Sequence, residues 1–259
     1  MLRRELTFRC DRDLTLPDAR RLYRLASRLH ARIQVRLCNL TRSRHTEVCE
    51  PLSLMALGCR AGDLCQLLLS GKDAELACIV FTTWVNEQGT RLGGRHPDFT
   101  AAQSQLQRQA PALRFDAGML GVLAPDSDAA SALRQLVALL PEIGDGDALY
   151  QQLLAREAIA STMLCAGIAM PHAISPVVTQ PMLALLHCPS PLEWGSASGP
   201  AHLLILMVLP ASPTQEQLLP LQRLVRRLMD PLLQHALLND HQPAARHALL
   251  TLALSQPAD

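Results

Sequence analysis

The feature that most restricts the fold is a hydrophobic period that switches repeatedly along the first 88 residues. Leu2 to Cys10 interleaves polar and apolar side chains at a period near two, as a half-buried strand requires. From Ala19 the apolar positions become Ala19, Leu22, Tyr23, Leu25, Ala26 and Leu29, the spacing of an amphipathic helix. Ile33 to Leu37 alternates again, Leu52 to Leu57 suits a short helix, and Cys65 to Leu69 reads as a further strand. A helix from Lys72 to about Asn86 follows the Ser70-Gly71 turn. These runs locate three strands and three helices; with one further strand not located between Leu37 and Leu52, the order predicted is βαββαβα, an open-faced β-sandwich with its helices on one side of an antiparallel sheet.

Residues 89–112 are rich in Gly, Pro, Gln and other polar residues and weak in periodicity, which predicts a linker holding at most one short helix. From Leu113 the pattern becomes α/β. Ala129 to Leu140 and Asp147 to Glu157 have helical spacing, and Gly167 to Met170, Met182 to His187 and His202 to Leu209 are short apolar runs of the buried-strand kind. Thr214 to Leu238, entered after Pro213, and Pro243 to Leu254 read as helices. The domains predicted are therefore 1–88, a linker over 89–112, and an α/β domain with a mixed sheet flanked by helices over 113–259.

Composition removes several classes of function. Of 259 residues, 49% are apolar and 18% charged, which excludes global disorder. A net charge of +1 gives no pull toward a polyanion, and 3% aromatics leave few platforms for stacking bases, so no nucleic-acid partner is expected. The most apolar stretch, Ala201 to Ala211, is about half the ~20 residues a membrane helix needs. The eight cysteines include no Cys-x-x-Cys pair, so neither a zinc knuckle nor a redox dithiol is signalled. Scattered cysteines behind an N-terminus with no apolar run suit a cytoplasmic protein, where they act as small apolar fillers.

One stretch carries chemistry: Arg156-Glu157, then Ser161-Thr162, then GIAMPHA from Gly167 to Ala173. An apolar strand ending in Met170-Pro171 would present His172 at a strand end, where ligand clefts form in open α/β folds. A neutral imidazole as nucleophile, a guanidinium as counter-charge and nearby hydroxyl donors are the parts of a phosphoryl-transfer site. Histidine suits a relay because an ordinary pKa near ~6.5 keeps the neutral nucleophile available at physiological pH. His187, His202 and His235 read as core-edge or surface residues.

The stretch REAIASTMLCAGIAMPHA resembles the active-site region of the fructose/mannitol-type enzyme IIA domain of the bacterial phosphoenolpyruvate:sugar phosphotransferase system. The likeness runs from about residue 120 to 255 and includes Trp194-Gly195 and QRLVRRLMD from Gln222 to Asp230. It implies that His172 is the phospho-acceptor, through Nε2, that Arg156 steadies the phosphoryl group, and that Thr162 and Ser161 shape the pocket. A second histidine usual in the family falls at Gln217, and an asparagine common between two glycines is replaced by Ala166. No cofactor or metal is implied at His172, since Mg²⁺ belongs to enzyme I.

The first half resembles the phosphocarrier protein HPr, most clearly over ALGCRAGDLCQLLLSGKDAELA from Ala56 to Ala77, as found in multiphosphoryl transfer proteins. The HPr motif Gly-apolar-His-x-Arg-Pro falls on Asp13 to Asp18, which puts Thr15 at the phospho-acceptor position and Pro17 at its arginine. A threonine at a helix start is complete as an N-cap. At the regulatory serine position stands Glu50, a phosphoserine-like charge or an ordinary helix-start carboxylate. Arg20, Arg21, Arg24, Arg28 and Arg32 form either a solvated face or a remnant docking face for acidic partners.

The resemblance implies a phosphotransferase component: His172 takes a phosphoryl group from phospho-HPr or enzyme I and passes it to a IIB domain of a fructose-like permease. Any membrane association would be indirect, through that IIBC permease. The competing expectations are a regulatory protein whose phosphorylation gates partner binding, and a remnant of a longer fusion. The missing HPr histidine and Gln217 favour the regulatory alternative.

Overall fold

The computed structural model describes residues 2–29, 33–93, 99–240 and 242–255. The chain forms two compact units. The first comprises Met1–Asp98 with Asp230–Leu252 and Gln256–Asp259; the second comprises Phe99–Met229 with Ala253–Ser255.

The first unit opens with β1 (Arg3–Cys10), α1 (Leu16–Leu29), β2 (Ile33–Asn39), β3 (Arg44–Glu47), α2 (Pro51–Met55), β4 (Leu64–Gly71) and α3 (Ala74–Gln88). This is the βαββαβα order expected. One strand more, β5 (Gly89–Arg91), extends the sheet from inside the segment read as linker, so the antiparallel order is β3-β2-β4-β1-β5. Alternation places Leu6, Phe8 and Cys10 of β1 and Leu67 and Leu69 of β4 in one core with Ala19, Leu22 and Ala26 of α1. Phe81 and Trp84 of α3 complete it, Trp84 meeting Phe8 edge-on at 6.1 Å between ring centroids. Truncating a side chain this buried to alanine costs about 3–5 kcal/mol.

The second unit contains α4 (Thr100–Gln109), β6 (Leu120–Val122), α5 (Ala129–Ala138), α6 (Gly146–Ile159), β7 (Met163–Cys165), β8 (Gly167–Ala169), β9 (His172–Ile174), β10 (Met182–Leu192), β11 (Ala201–Leu209) and α7 (Gln215–Arg227). Aspartates cap two of these helices: Asp128 accepts from the Ser131 N–H at 2.8 Å and Asp145 from the Ala148 N–H at 2.9 Å. The sheet is mixed, in the order β6-β10-β11-β8-β7, with β9 also on β11. β10 and β11 run antiparallel, while β6, β8 and β9 join them in parallel. β10 over Met182–Leu186 and β11 over Leu203–Leu206 are buried without alternation, the pattern of strands covered on both faces.

The stretch read as one helix from Thr214 to Leu238 is two. α7 ends at Arg227, and Asp230 starts α8 (Pro231–Asn239) by accepting the Leu232 N–H at 2.9 Å, with Pro231 in the first helical position. α9 (Pro243–Leu254) follows. By compactness Asp230–Leu252 groups with the first unit. On the outer face of the first sheet the Thr7 hydroxyl bonds the Asp240 carboxylate and His235 faces Glu5 at 3.8 Å.

Candidate active site

The site begins with an interruption in a strand. Ala169 of β8 pairs with Leu204 and His172 of β9 pairs with Met207, so both segments keep one register along β11. Met170 and Pro171 form the break, where proline has no N–H to give the ladder. The Pro171 carbonyl still accepts from the Met207 N–H at 3.0 Å. His172 therefore sits just past a break inside a continuing strand, a correction to the strand end expected.

The His172 ring is half-buried, and its Nδ1 lies 3.0 Å from the Met170 carbonyl oxygen. A carbonyl can only accept, so Nδ1 carries the proton. In the neutral ring Nε2 is then the nitrogen with the free lone pair. A fixed tautomer of this kind makes a ring nitrogen a ready nucleophile toward phosphorus.

Behind the histidine a polar network holds the turn. Thr162 donates its N–H to Glu157 Oε1 at 2.7 Å and its hydroxyl to Glu157 Oε2 at 2.6 Å. The same hydroxyl accepts from Trp194 Nε1 at 3.2 Å, and the Thr162 carbonyl accepts from the Met170 N–H at 2.9 Å. Ser161 donates to the Trp194 carbonyl at 2.8 Å. Gly195, next in the chain, has φ 63°, a left-handed conformation that suits glycine. The connection runs from Glu157 through Thr162 to Met170, whose carbonyl fixes the His172 tautomer. Both hydroxyls expected to line the pocket are thus engaged inside the protein, with Thr162 itself buried.

α6 packs against β9 and brings Arg156 and Glu157 to this side of the sheet. Arg156 Nη1 donates to the Ala160 carbonyl at 2.9 Å, closing the C-terminal turn of its helix, and no hydrogen bond joins it to His172 among the described residues. Gln217 completes a capping box: its Oε1 accepts from the Thr214 N–H at 2.9 Å and its own N–H donates to the Thr214 hydroxyl at 3.3 Å. Its side-chain carbonyl oxygen is therefore committed to starting α7. Glu157, Met170 and Trp194 are the members that sequence spacing did not single out as site residues. Glu157 stood in the Arg-Glu pair, but only the geometry separates its role from that of Arg156.

In the first unit Thr15 precedes α1. Asp18 accepts from the Thr15 N–H at 3.0 Å and from its hydroxyl, so the expected cap works in reverse: the aspartate accepts and the threonine donates. Asp18 also takes a bidentate pair from Arg12 at 2.7 and 2.9 Å and a bond from Gln88 at 3.3 Å. The Arg12 guanidinium holds the Asp18 carboxyl well below the usual carboxylate range, helped by Thr15 and Gln88 and opposed by burial. Among the described residues no imidazole stands at this helix start. Glu50 precedes α2 without any side-chain cap bond and is exposed. Arg20, Arg24 and Arg28 are exposed, Arg21 pairs with Glu87, and Arg32 lies outside the described residues.

Among the described residues no group of three or more His, Cys, Asp or Glu side chains is placed to hold a metal ion, and no helix is long and apolar enough to cross a membrane. The chain is 33% identical over 90 residues to a nitrogen regulatory protein of Pseudomonas aeruginosa, covering 34% of this chain and 58% of that protein. It is 33% identical over 88 residues to the fructose-specific EIIA component of a Haloferax volcanii phosphotransferase system, covering 34% and 57%. The chain thus spans a little over half the length of these two relatives. Among solved structures, nitrogen regulatory protein IIA-Ntr from Neisseria meningitidis aligns over 54% of this chain and 97% of its own, at 20% identity and TM-score 0.49. The phosphocarrier protein HPr from Bacillus anthracis aligns over 32% of this chain and 95% of its own, at 17% identity and TM-score 0.28. Residues 123–252, half of the chain, match the family described as phosphoenolpyruvate-dependent sugar phosphotransferase system, EIIA 2. That match contains the His172 turn, the Glu157–Thr162–Trp194 network and the capping box of α7, and the chain belongs to the phosphotransferase-system EIIA 2 family.

Proposed function

We propose that His172 is the phospho-acceptor of this phosphotransferase-system component. The observation that carries the reading is the Nδ1–H bond to the Met170 carbonyl, which leaves the Nε2 lone pair on a partly exposed ring. Nε2 attacks phosphorus while the donor's P–N bond breaks and its electron pair returns to the donor imidazole. The positive charge that develops on the His172 ring is shared with the Met170 carbonyl through the Nδ1–H. In the reverse sense the His172 P–N bond breaks, and the phosphoryl group leaves to an incoming thiolate or imidazole. Arg156, freed from the Ala160 carbonyl or using its remaining N–H donors, supplies counter-charge to the phosphoryl oxygens. Ser161 and Thr162 hold the turn, and Gln217 starts α7 through its capping box with Thr214.

The donor in this reading is phospho-HPr or enzyme I supplied in trans, since Thr15 stands where HPr proteins carry their phospho-acceptor histidine. The acceptor is a IIB domain of a fructose-like permease, in keeping with the Haloferax volcanii relative. The protein acts in the cytoplasm and needs no cofactor of its own. Incubation with phosphoenolpyruvate, enzyme I and HPr tests this by intact mass. Wild type gains one phosphoryl group of about 80 Da, and His172→Ala gains none. An adduct that survives in His172→Ala overturns the assignment.

A second reading has a specific basis. The Pseudomonas aeruginosa relative is a nitrogen regulatory protein. Gln217 cannot carry the positive charge of a histidine. In this reading phosphorylation of His172 controls binding to a regulatory partner, without efficient transfer to a sugar permease. Discharge of the phosphorylated protein by a fructose-type IIB domain supports transport, and a phosphoryl group that stays on the protein supports regulation.

A further inference from the structure

The outer face of the first sheet carries a polar grid, fixed by strand register. Gln34 of β2, Ser70 of β4 and Arg3 of β1 stand in one row across the strands. Glu47, Arg36, Leu68 and Glu5 form the next row, and His45, Cys38, Gln66 and Thr7 the third. An open-faced sheet would show this face to water. Here the start of α8 covers part of it, and Pro231, Leu232 and His235 roof a cleft of about 340 Å³ whose floor is the grid. That volume lies within the range of small-molecule sites.

The polar groups lining the cleft are mostly donors. Arg36 is held by Glu47, with Nε and Nη2 on the same carboxylate oxygen at 2.9 and 2.7 Å, which leaves further guanidinium N–H groups. Arg3 is exposed, and its guanidinium makes no hydrogen bond or ion pair among the described residues. His45 is exposed at the rim. The His235 tautomer is set from below: Asn239 Nδ2 donates to His235 Nδ1 at 3.1 Å, so Nε2 carries the proton and is a donor. Gln34 and Ser70 add amide and hydroxyl groups from neighbouring strands. One carboxylate of the lining, Glu47, is already neutralised by Arg36. Glu5, in the row of Leu68, is buried, and burial beside Asp240 favours its uncharged form.

We propose that this cleft binds a small organic anion carrying two or more carboxylate or phosphate groups, held by Arg3 and Arg36 with Gln34, Ser70, His45 and His235 as neutral donors. Two guanidinium groups from separate strands suit an anion with charges at both ends. The cleft is distinct in chemistry and residues from the His172 turn, and it uses no residue assigned to phosphoryl transfer.

The test uses the full chain and two probes that each carry at least two anionic groups, citrate for the carboxylate source and butane-1,4-diol bisphosphate for the phosphate source. Binding is followed by calorimetry and by amide chemical shifts. The expected result is saturable binding of at least one probe, with shifts concentrated on Arg3, Gln34, Arg36, Ser70, Leu232 and His235. Arg3→Ala, a change at an exposed side chain, weakens that binding about tenfold, as loss of one charged hydrogen-bonding partner should. Tighter binding of one probe identifies its head-group as the preferred one. No saturation by either probe up to about 20 mM, a Kd worth roughly 2 kcal/mol, shifts that fall elsewhere, or equal affinity in Arg3→Ala overturns the proposal.

Discussion

Replacing Glu5 by glutamine should remove a pH dependence from the stability of the first unit. The Glu5 carboxyl is pushed up from 4.5 to about 8, chiefly by burial, then by the nearby Asp240 carboxylate, with Arg3 opposing. Gln66 Nε2 reaches Oε2 only at 3.5 Å, and Oε1 has no hydrogen bond. The folded protein therefore keeps a proton that the unfolded chain releases, and stability falls as pH rises from 4.5 to about 8. Each pH unit in that window removes about 1.4 kcal/mol, so the full loss approaches ~5 kcal/mol. His235, whose pKa burial lowers from its ordinary 6.5, acts in the opposite sense at acid pH, so the comparison belongs above 6.5. Between pH 6.5 and 9 the wild type should lose about 2 kcal/mol relative to Glu5→Gln, a ratio of roughly 30 in opening equilibrium. Hydrogen exchange of peptides from β1 and β4, measured on both proteins at each pH, reads that ratio directly. Parallel profiles for wild type and Glu5→Gln would refute the claim that this carboxyl is protonated at neutral pH.

Three further outcomes follow from the geometry. Thr162→Val leaves the buried Trp194 Nε1 and the Glu157 carboxylate without their shared partner, which should cost about 2–3 kcal/mol by urea denaturation and slow phosphorylation of His172; Thr162→Ser should restore both. Asp18 is held ionised in the fold, so its contribution is full above its ordinary 3.8 and lost as pH falls below that value. Asp18→Asn should lose about 2 kcal/mol at pH 7 and show a shallower acid transition than wild type by hydrogen exchange in α1. Charge reversal at the exposed Arg20 and Arg24 should slow association with enzyme I or an enzyme IIB at low salt, and an unchanged rate in stopped-flow binding assigns these side chains to solvent alone.

The elements that bury an apolar stripe were legible in the sequence, because Leu6, Phe8, Leu22 and Leu67 announce their faces by spacing alone. β3 was not located, since Arg44-His45-Thr46-Glu47 is an exposed edge strand with no buried side to pattern it. The break between α7 and α8 did have a signal, Asp230 before Pro231, but the apolar period runs across it and hid the stop. Nothing local could place Asp230–Leu252 with the first sheet, because the Thr7–Asp240 bond joins residues far apart in the chain. At the site, the order of Arg156, Thr162 and His172 was readable, whereas the use of each was not. The resemblance implied that Thr162 shapes the pocket and that Gln217 stands where the family has a second histidine. In the fold their hydrogen bonds go to Glu157 and to the helix start, a distinction that depends on where Trp194 and Thr214 lie in space.

The most direct measurement is ¹⁵N NMR of the His172 ring before and after phosphorylation by phosphoenolpyruvate, enzyme I and HPr. The resting protein should show a protonated Nδ1 and an unprotonated Nε2, then a phosphorus coupling on Nε2 with the Nδ1 proton retained. A resting ring protonated on Nε2, or phosphorus bound to Nδ1, would contradict it.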